Sequence, residues 1–331
     1  MNVGIYIPNW IGDCVMALPF IMECKKNHQN DKIICIAREW VSPVLEEYPH
    51  IDDLIIIKKG HDKNLFKLIG LLKLIRSKNI DISYILPDSW RTAFFSWVSG
   101  SRERIGFNRY KKSIFFTKSI DTNYNAMHRS AKYLSLIKNK KNNHIKESKI
   151  KVSEEEKLKS IKYLKQLKIK TFLGLFVGSN ALNRRVPSNF WVSICKKALD
   201  YKMRIVMFGS KNDKIISSEI INRLNNSNIN SFCGKLSLRE TISLISFSEG
   251  VIATDSGLGH ISANLGIPTI SLFAAGNPII TKPIGQKTKV VNKNVYCDQC
   301  GEKKCIDPLT CLKNIDSDSV WKSYIELINY I

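Results

Sequence analysis

Ala253-Thr-Asp-Ser-Gly-Leu-Gly-His-Ile-Ser-Ala-Asn-Leu-Gly266, continued by Ile267-Pro-Thr-Ile-Ser-Leu-Phe273, spells a strand, a tight polar turn, a helix and a second strand. Val251–Ala253 is a short apolar run suited to a buried strand. Asp255, Ser256 and Gly257 break it, and Ile261, Ala263 and Leu265 ride on the helix that follows. Gly257 and Gly259 let the backbone approach a ligand closely, and the first N–H groups of the helix have no partner within it. Those groups, at the positive end of the helix, suit a phosphate or diphosphate. The turn thus reads as a site for an activated, anionic substrate. The same residues also allow a plainer arrangement, with Asp255 or Ser256 capping the helix and His260 as an ordinary helical residue.

Strand followed by helix recurs through the chain. Val3–Ile7, Ile33–Ala37, Leu54–Ile57 and Ile82–Leu86 read as strands, with helices from near Cys14 to Cys24, over Val41–Glu47 and over Leu65–Ile75. A further helix, about Met127 to Ile137, leads into the polar stretch Lys138–His144, which has linker character. The rhythm restarts with a helix at Glu154–Gln166 and strands at Phe172–Val177, Arg204–Phe208 and Ser231–Cys233. Such alternation predicts parallel sheets covered by helices. Two α/β halves without sequence repeat, 1–150 and 151–331, predict two Rossmann-like domains facing across a cleft, with ligands at the carboxyl ends of the strands. Ser317–Ile331 reads as a final helix able to pack back on the first domain. The Leu65–Ile75 helix places residues 65, 68, 69, 72 and 75 on one apolar face and also carries Lys67, Lys73 and Arg76. It can cover the sheet or lie on a membrane surface, and a crossover helix favours the sheet.

With 331 residues, 44% hydrophobic and 24% charged, the chain has material for two real cores. Its 51 Lys+Arg against 29 Asp+Glu give a formal charge of +22, which favours anionic partners: nucleic acid, acidic glycolipid or an anionic membrane face. The first basic residue is Lys25, so the apolar start lacks the n-region of a secretory signal. No apolar run approaches the ~20 residues that span a bilayer. A cytoplasmic protein, at most peripheral on the membrane, is expected. Nine cysteines outside a secretory context argue for reduced thiols rather than a disulfide framework.

Two other turns follow strands. Pro8-Asn-Trp-Ile-Gly-Asp13 puts Asp13 where it could act as general base or cap the next helix. Val177-Gly-Ser-Asn-Ala-Leu-Asn-Arg-Arg-Val-Pro187 offers Gly178 and Ser179 for backbone approach to phosphates and Arg184 or Arg185 as a bidentate cation. Neither a P-loop nor a GxGxxG fingerprint occurs. Cys297, Cys300, Cys305 and Cys311 could hold a structural zinc ion, although the spacing is irregular for a common module. Asp316-Ser-Asp318 spells a DxD but opens the last helix, where capping explains it.

Taken together, Pro8–Asp13, Leu86-Pro-Asp-Ser-Trp-Arg-Thr-Ala93, Arg104-Ile-Gly-Phe107, the 177–187 loop and Thr254–His260 resemble, in that order, the ADP-heptose:lipopolysaccharide heptosyltransferases. These are glycosyltransferase family 9, and the Asn-Trp-Ile-Gly-Asp turn is most similar to the heptosyltransferase II branch. The resemblance implies a GT-B fold and inverting, metal-independent transfer of heptose from ADP-heptose to an anionic Kdo–lipid A inner-core acceptor, with no cofactor. It implies Asp13 as catalytic base and Gly178, Ser179, Arg184, Asp255, Ser256, Gly257 and His260 as donor-binding. It places Asn9, Trp10, Asp88, Ser89 and Arg91 on the acceptor side. Arg184 stands where the family usually has lysine, Val186 replaces a tryptophan, and Gly259 a larger residue.

The rival enzymes are a family 9 transferase of another sugar and a nucleotide-sugar 2-epimerase, which needs no acceptor. A nucleic-acid-binding module lacks aromatic-rich basic motifs. A serine hydrolase lacks the G-x-S-x-G elbow, and His260 lies on the same helix as Ser256.

Overall fold

Short apolar runs punctuated by polar turns become parallel strands because both faces of the sheet can then be covered by the intervening helices. The computed structural model describes the chain except residues 62–63, 109–111, 122–126, 138–147, 274–275, 293–314 and 330–331. It divides into Met1–Lys151 and Val152–Ile331.

The first unit contains β1 (Asn2–Tyr6), β2 (Lys32–Arg38), β3 (Asp53–Ile57), β4 (Ile82–Ile85), β5 (Glu103–Phe107) and β6 (Lys118–Ile120). All pair in parallel, in the order β3-β2-β1-β4-β5-β6, with Ile5 opposite both Cys35 and Tyr84. The helices are α1 (Ile11–Asn27), α2 (Ser42–Leu45), α3 (Leu65–Ser77), α4 (Trp90–Val98) and α5 (Arg129–Leu134). One core joins Tyr6, Ile34, Ile36 and Ile85 to Leu71, Ile75 and Phe95 from α3 and α4.

The second unit repeats the plan with β7 (Leu173–Phe176), β8 (Ile205–Phe208), β9 (Ile229–Ser231), β10 (Gly250–Thr254), β11 (Thr269–Phe273) and β12 (Thr288–Asn292). Their order is β12-β11-β10-β7-β8-β9, again parallel in the pairings described. Around them lie α6 (Glu154–Gln166), α7 (Ser188–Asp200), α8 (Lys214–Leu224), α9 (Leu238–Ile245), α10 (Gly257–Asn264), α11 (Pro278–Thr281) and α12 (Ser317–Asn329). The α/β class with two Rossmann-like sheets expected from the sequence is the observed one.

Two expectations are corrected and one helix is new. The last helix packs on its own unit: Val320, Trp321 and Tyr324 join the second core, and Gly250 leaves room for the Tyr324 ring, which an added Cβ would meet at 2.7 Å. α4 has no counterpart among the expected helices, because its aromatic-rich sequence has little helical signature. On α3, Leu71 and Ile75 are buried, whereas Leu65 and Ile69 are exposed. That helix is apolar nearly all round, so periodicity alone could not choose the stripe that meets the sheet.

Candidate active site

In each sheet the strand order reverses at one place, between β1 and β4 and between β7 and β10. At such a switch point the loops leaving neighbouring strands diverge and open a crevice at the carboxyl ends.

In the second unit, the loop after β7 and the turn after β10 meet at that point. Thr254 Oγ1 donates to the Gly178 carbonyl at 2.6 Å, and Ser179 Oγ reaches the Asp255 carbonyl at 3.4 Å. Arg184 ends a 3₁₀ turn, Leu182–Arg184, and sets a guanidinium nitrogen 3.0 Å from Asp255 Oδ2. Asp255 is 3% exposed and Arg184 36%, so the pair has a buried anion and a cation that still reaches solvent. Gly276 backs the same carboxylate: a Cβ there would stand 2.2 Å from Asp255 Oδ2. Arg185 does different work. Its Nε donates to the Ser179 carbonyl at 2.7 Å and its guanidinium lies 4.0 Å from Asp213, which fixes the loop.

Ser256 is the N-cap of α10, but its hydroxyl makes no cap bond, and its Oγ is buried without a hydrogen-bond partner among the described residues. A buried hydroxyl left so is costly unless a ligand completes it. Gly257 and Leu258 follow in the first turn, where backbone N–H groups point out of the helix end. His260 is 4% exposed, a turn deeper into the helix. Gly259 keeps α10 close to β10, since a Cβ would lie 3.2 Å from the Ala253 Cβ. Val186, 1% exposed, is a core residue.

Asp213 went unnoticed in the sequence. It is 7% exposed and accepts from the Ser210 N–H at 2.8 Å and the Ser210 hydroxyl at 2.7 Å. Gly178 exists as glycine because a Cβ would fall 2.1 Å from Asp213 Oδ1. The readable signal was Ser210-x-x-Asp213, a capping box directly after a strand.

In the first unit, Asp13 lies in the first turn of α1, half-buried. It is not the cap considered from the sequence: the helix begins at Ile11 with Trp10 as N-cap. Tyr133 of α5 is nearby. Burial first, then the negative charge of Asp13, pushes its phenol far above its usual value, against the opposing charge of Arg129. A cavity of about 280 Å³ opens at the carboxyl ends of β1 to β4, lined by Asn9, Arg38, Ser89, Trp90, Arg91 and Thr92 among others. It unites the expected Asn9, Ser89 and Arg91. Trp10, 63% exposed, and Asp88 lie outside its lining. Asp88 instead holds Lys132, whose ammonium is 2.7 Å away and 4.4 Å over the Phe107 ring. Arg38 was also missed; it ends β2 with its guanidinium 5.6 Å over Trp40, whose indole N–H donates to the Asn9 carbonyl at 2.7 Å.

Cys297, Cys300, Cys305 and Cys311 lie outside the described residues. Asp316 caps α12 by accepting from the Ser319 N–H at 2.9 Å, in keeping with the capping reading of the DxD.

Two doubly wound parallel sheets, one with an arginine–aspartate pair and a helix N-terminus at its switch point, define the α/β class with two Rossmann-like units. The sequence profile of glycosyltransferase family 9 (heptosyltransferase) matches residues 69–310, and the chain belongs to that family. It is similar to lipooligosaccharide heptosyltransferase 2 of Campylobacter jejuni, 27% identical over 97% of each chain. Lipopolysaccharide heptosyltransferase 2 of Escherichia coli K12 is 22% identical over 88% of each. The solved structure of E. coli ADP-heptose lps heptosyltransferase II superposes with a TM-score of 0.84, covering 100% of this chain and 99% of that one at 21% identity.

Proposed function

We propose that this glycosyltransferase moves heptose from ADP-heptose to the lipopolysaccharide inner core, as heptosyltransferase II does. The acceptor is then a lipid-borne, anionic glycan, and the enzyme works peripherally at the cytoplasmic membrane face. The observation that carries the donor half is the buried Ser256 hydroxyl at the start of α10, without a hydrogen-bond partner among the described residues and one residue after Asp255, which holds Arg184. A diphosphate supplies acceptor oxygens to this hydroxyl and to the first α10 N–H groups, and the Arg184 guanidinium, held by Asp255 but still 36% exposed, adds its charge.

In the reaction an acceptor hydroxyl oxygen bonds to the anomeric carbon as the bond from that carbon to the β-phosphate oxygen breaks. The configuration inverts, the hydroxyl proton passes to the Asp13 carboxylate, and ADP departs. Arg184 and the end of α10 meet the charge that develops on the leaving phosphate. Asp255 holds Arg184 in place, and Arg185 with Asp213 holds the loop beneath it. Asn9, Ser89, Arg91 and Arg38 line the cavity that takes the acceptor's anionic sugars.

The test is a donor screen with a truncated lipopolysaccharide acceptor. ADP-heptose should turn over and other nucleotide sugars should not. Preference for another sugar would leave a family 9 transferase of different specificity. Turnover without acceptor would point to epimerase chemistry.

A further inference from the structure

The outer surface of the first unit carries apolar side chains that its core does not use. On α3, Leu71 and Ile75 are buried, and Leu68 and Leu72 pack against the same core. Beyond them Leu65, Phe66, Ile69 and Leu74 are exposed, Phe66 at 85%. α4 repeats the pattern, with Ala93 and Phe95 inside and Trp90, Phe94 and Trp97 outside. Phe115 gathers those three rings at centroid distances of 5.5, 6.1 and 6.2 Å, and Ile114 beside it is 72% exposed. α3 touches α4, and α4 touches the 3₁₀ turn Lys112–Phe115, so the exposed residues lie on adjoining elements.

Charge on the same helices has one sign. Lys67, Lys73 and Arg76 are exposed on α3 and Arg91 on α4, and neither helix contains an aspartate or glutamate. Exposed tryptophan and phenylalanine rings interleaved with cations suit an anionic bilayer: rings sit at the headgroup level and cations meet lipid phosphates. A second copy of this chain is a poor occupant, because a two-fold contact would press these cations against themselves. α4 also ties the patch to the acceptor cavity, which its first residues Trp90, Arg91 and Thr92 line.

We propose that α3, α4 and the turn Lys112–Phe115 form the surface by which the protein docks on an anionic phospholipid bilayer, holding the first-unit cavity at headgroup height. This rests on the lipid-borne acceptor proposed above.

Full-length protein is sedimented with phosphatidylethanolamine–phosphatidylglycerol vesicles and, separately, with phosphatidylcholine vesicles. Binding to the anionic vesicles alone, weakened by salt, is expected. Phe66→Ser/Trp97→Ser, at residues outside the cavity lining, should weaken vesicle binding by about tenfold or more, since it withdraws two large apolar side chains. Lys67→Glu/Lys73→Glu should weaken it through charge alone, and thermal unfolding checks that both variants fold. Transfer to a deacylated, water-soluble acceptor should be unchanged in both, while transfer to vesicle-embedded acceptor falls with binding. Wild type that ignores anionic vesicles, or variants that bind as well as wild type, would overturn the proposal. So would dimers that the variants dissolve into monomers, which would make the patch an interface between copies. Intact vesicle binding by a wild type that transfers heptose to neither acceptor removes the functional reading and leaves the docking surface standing.

Discussion

In the proposed reaction Asp13 and Arg184 divide the chemistry between a base and a phosphate clamp, and their substitutions should separate accordingly. Asp13→Asn keeps the shape of the α1 turn and removes the proton acceptor. It should cut turnover by about 10²- to 10⁴-fold, with ADP affinity by calorimetry unchanged. Arg184→Ala should instead weaken ADP binding by about ten- to hundredfold, the worth of a charged hydrogen bond. Arg184→Lys should recover part of that loss, since it restores the charge without the fork. Gly178→Ala tests the support beneath the clamp. Its Cβ collides with Asp213, 2.1 Å from Oδ1, and overpacking of this kind costs about 1–3 kcal/mol in thermal unfolding. The turn between β10 and α10 was legible in the sequence because Asp255, Ser256 and Gly257 interrupt an apolar run visibly. Arg38 was not legible, because it is a lone polar residue whose importance depends on which strand lies beside its own, and Asp213 could be read only as one half of a capping box, which does not say that a neighbouring strand's loop rests on it.

Among elements, α6 and α9 are joined by a charge whose effect can be read against pH. Ser153 and Glu156 form a capping box at the start of α6, and Arg239 of α9 grips both Glu156 oxygens at 2.7 and 2.5 Å. Partial burial pushes the Glu156 carboxyl up, but the Arg239 and Ser153 hydrogen bonds outweigh it and hold it below the ordinary 4.5. Since the folded value is the lower one, this stabilisation is complete above 4.5 and fades as pH falls through the folded value. Glu156→Gln should cost about 1–3 kcal/mol at neutral pH. It should also flatten the acid limb of a stability–pH curve measured by denaturant unfolding. Capping boxes of this sort can be seen in sequence, and α6 appeared with the bounds expected for it. α4 escaped because Trp90-Arg-Thr-Ala-Phe-Phe-Ser-Trp-Val98 has aromatic residues on both faces, so neither a helical stripe nor strand alternation stands out.

At the scale of the molecule, the two sheets have equivalent strand orders, yet their switch points carry different chemistry: a carboxylate and an arginine-lined cavity in one, a helix end and a clamped arginine in the other. ADP should therefore slow hydrogen exchange at residues 177–186 and 254–260 while leaving β1 to β4 at their unliganded rates. Protection spread equally over both sheets would contradict a donor site confined to the second unit. Doubly wound parallel topology could be foreseen because alternating strand and helix allows few other packings. The seat of the last helix could not, since an apolar stripe such as Val320, Trp321 and Tyr324 does not say which sheet it will cover.

That seat has a bearing on biosynthesis. Every strand and helix of the first unit leaves the ribosome before the second is begun, so the first can fold vectorially as it emerges. The second cannot close over Gly250 until Tyr324 has cleared the exit tunnel. A nascent chain stalled before residue 317 would display an uncovered sheet to chaperones and proteases, and quality control would meet this protein as a finished first unit attached to an open second one.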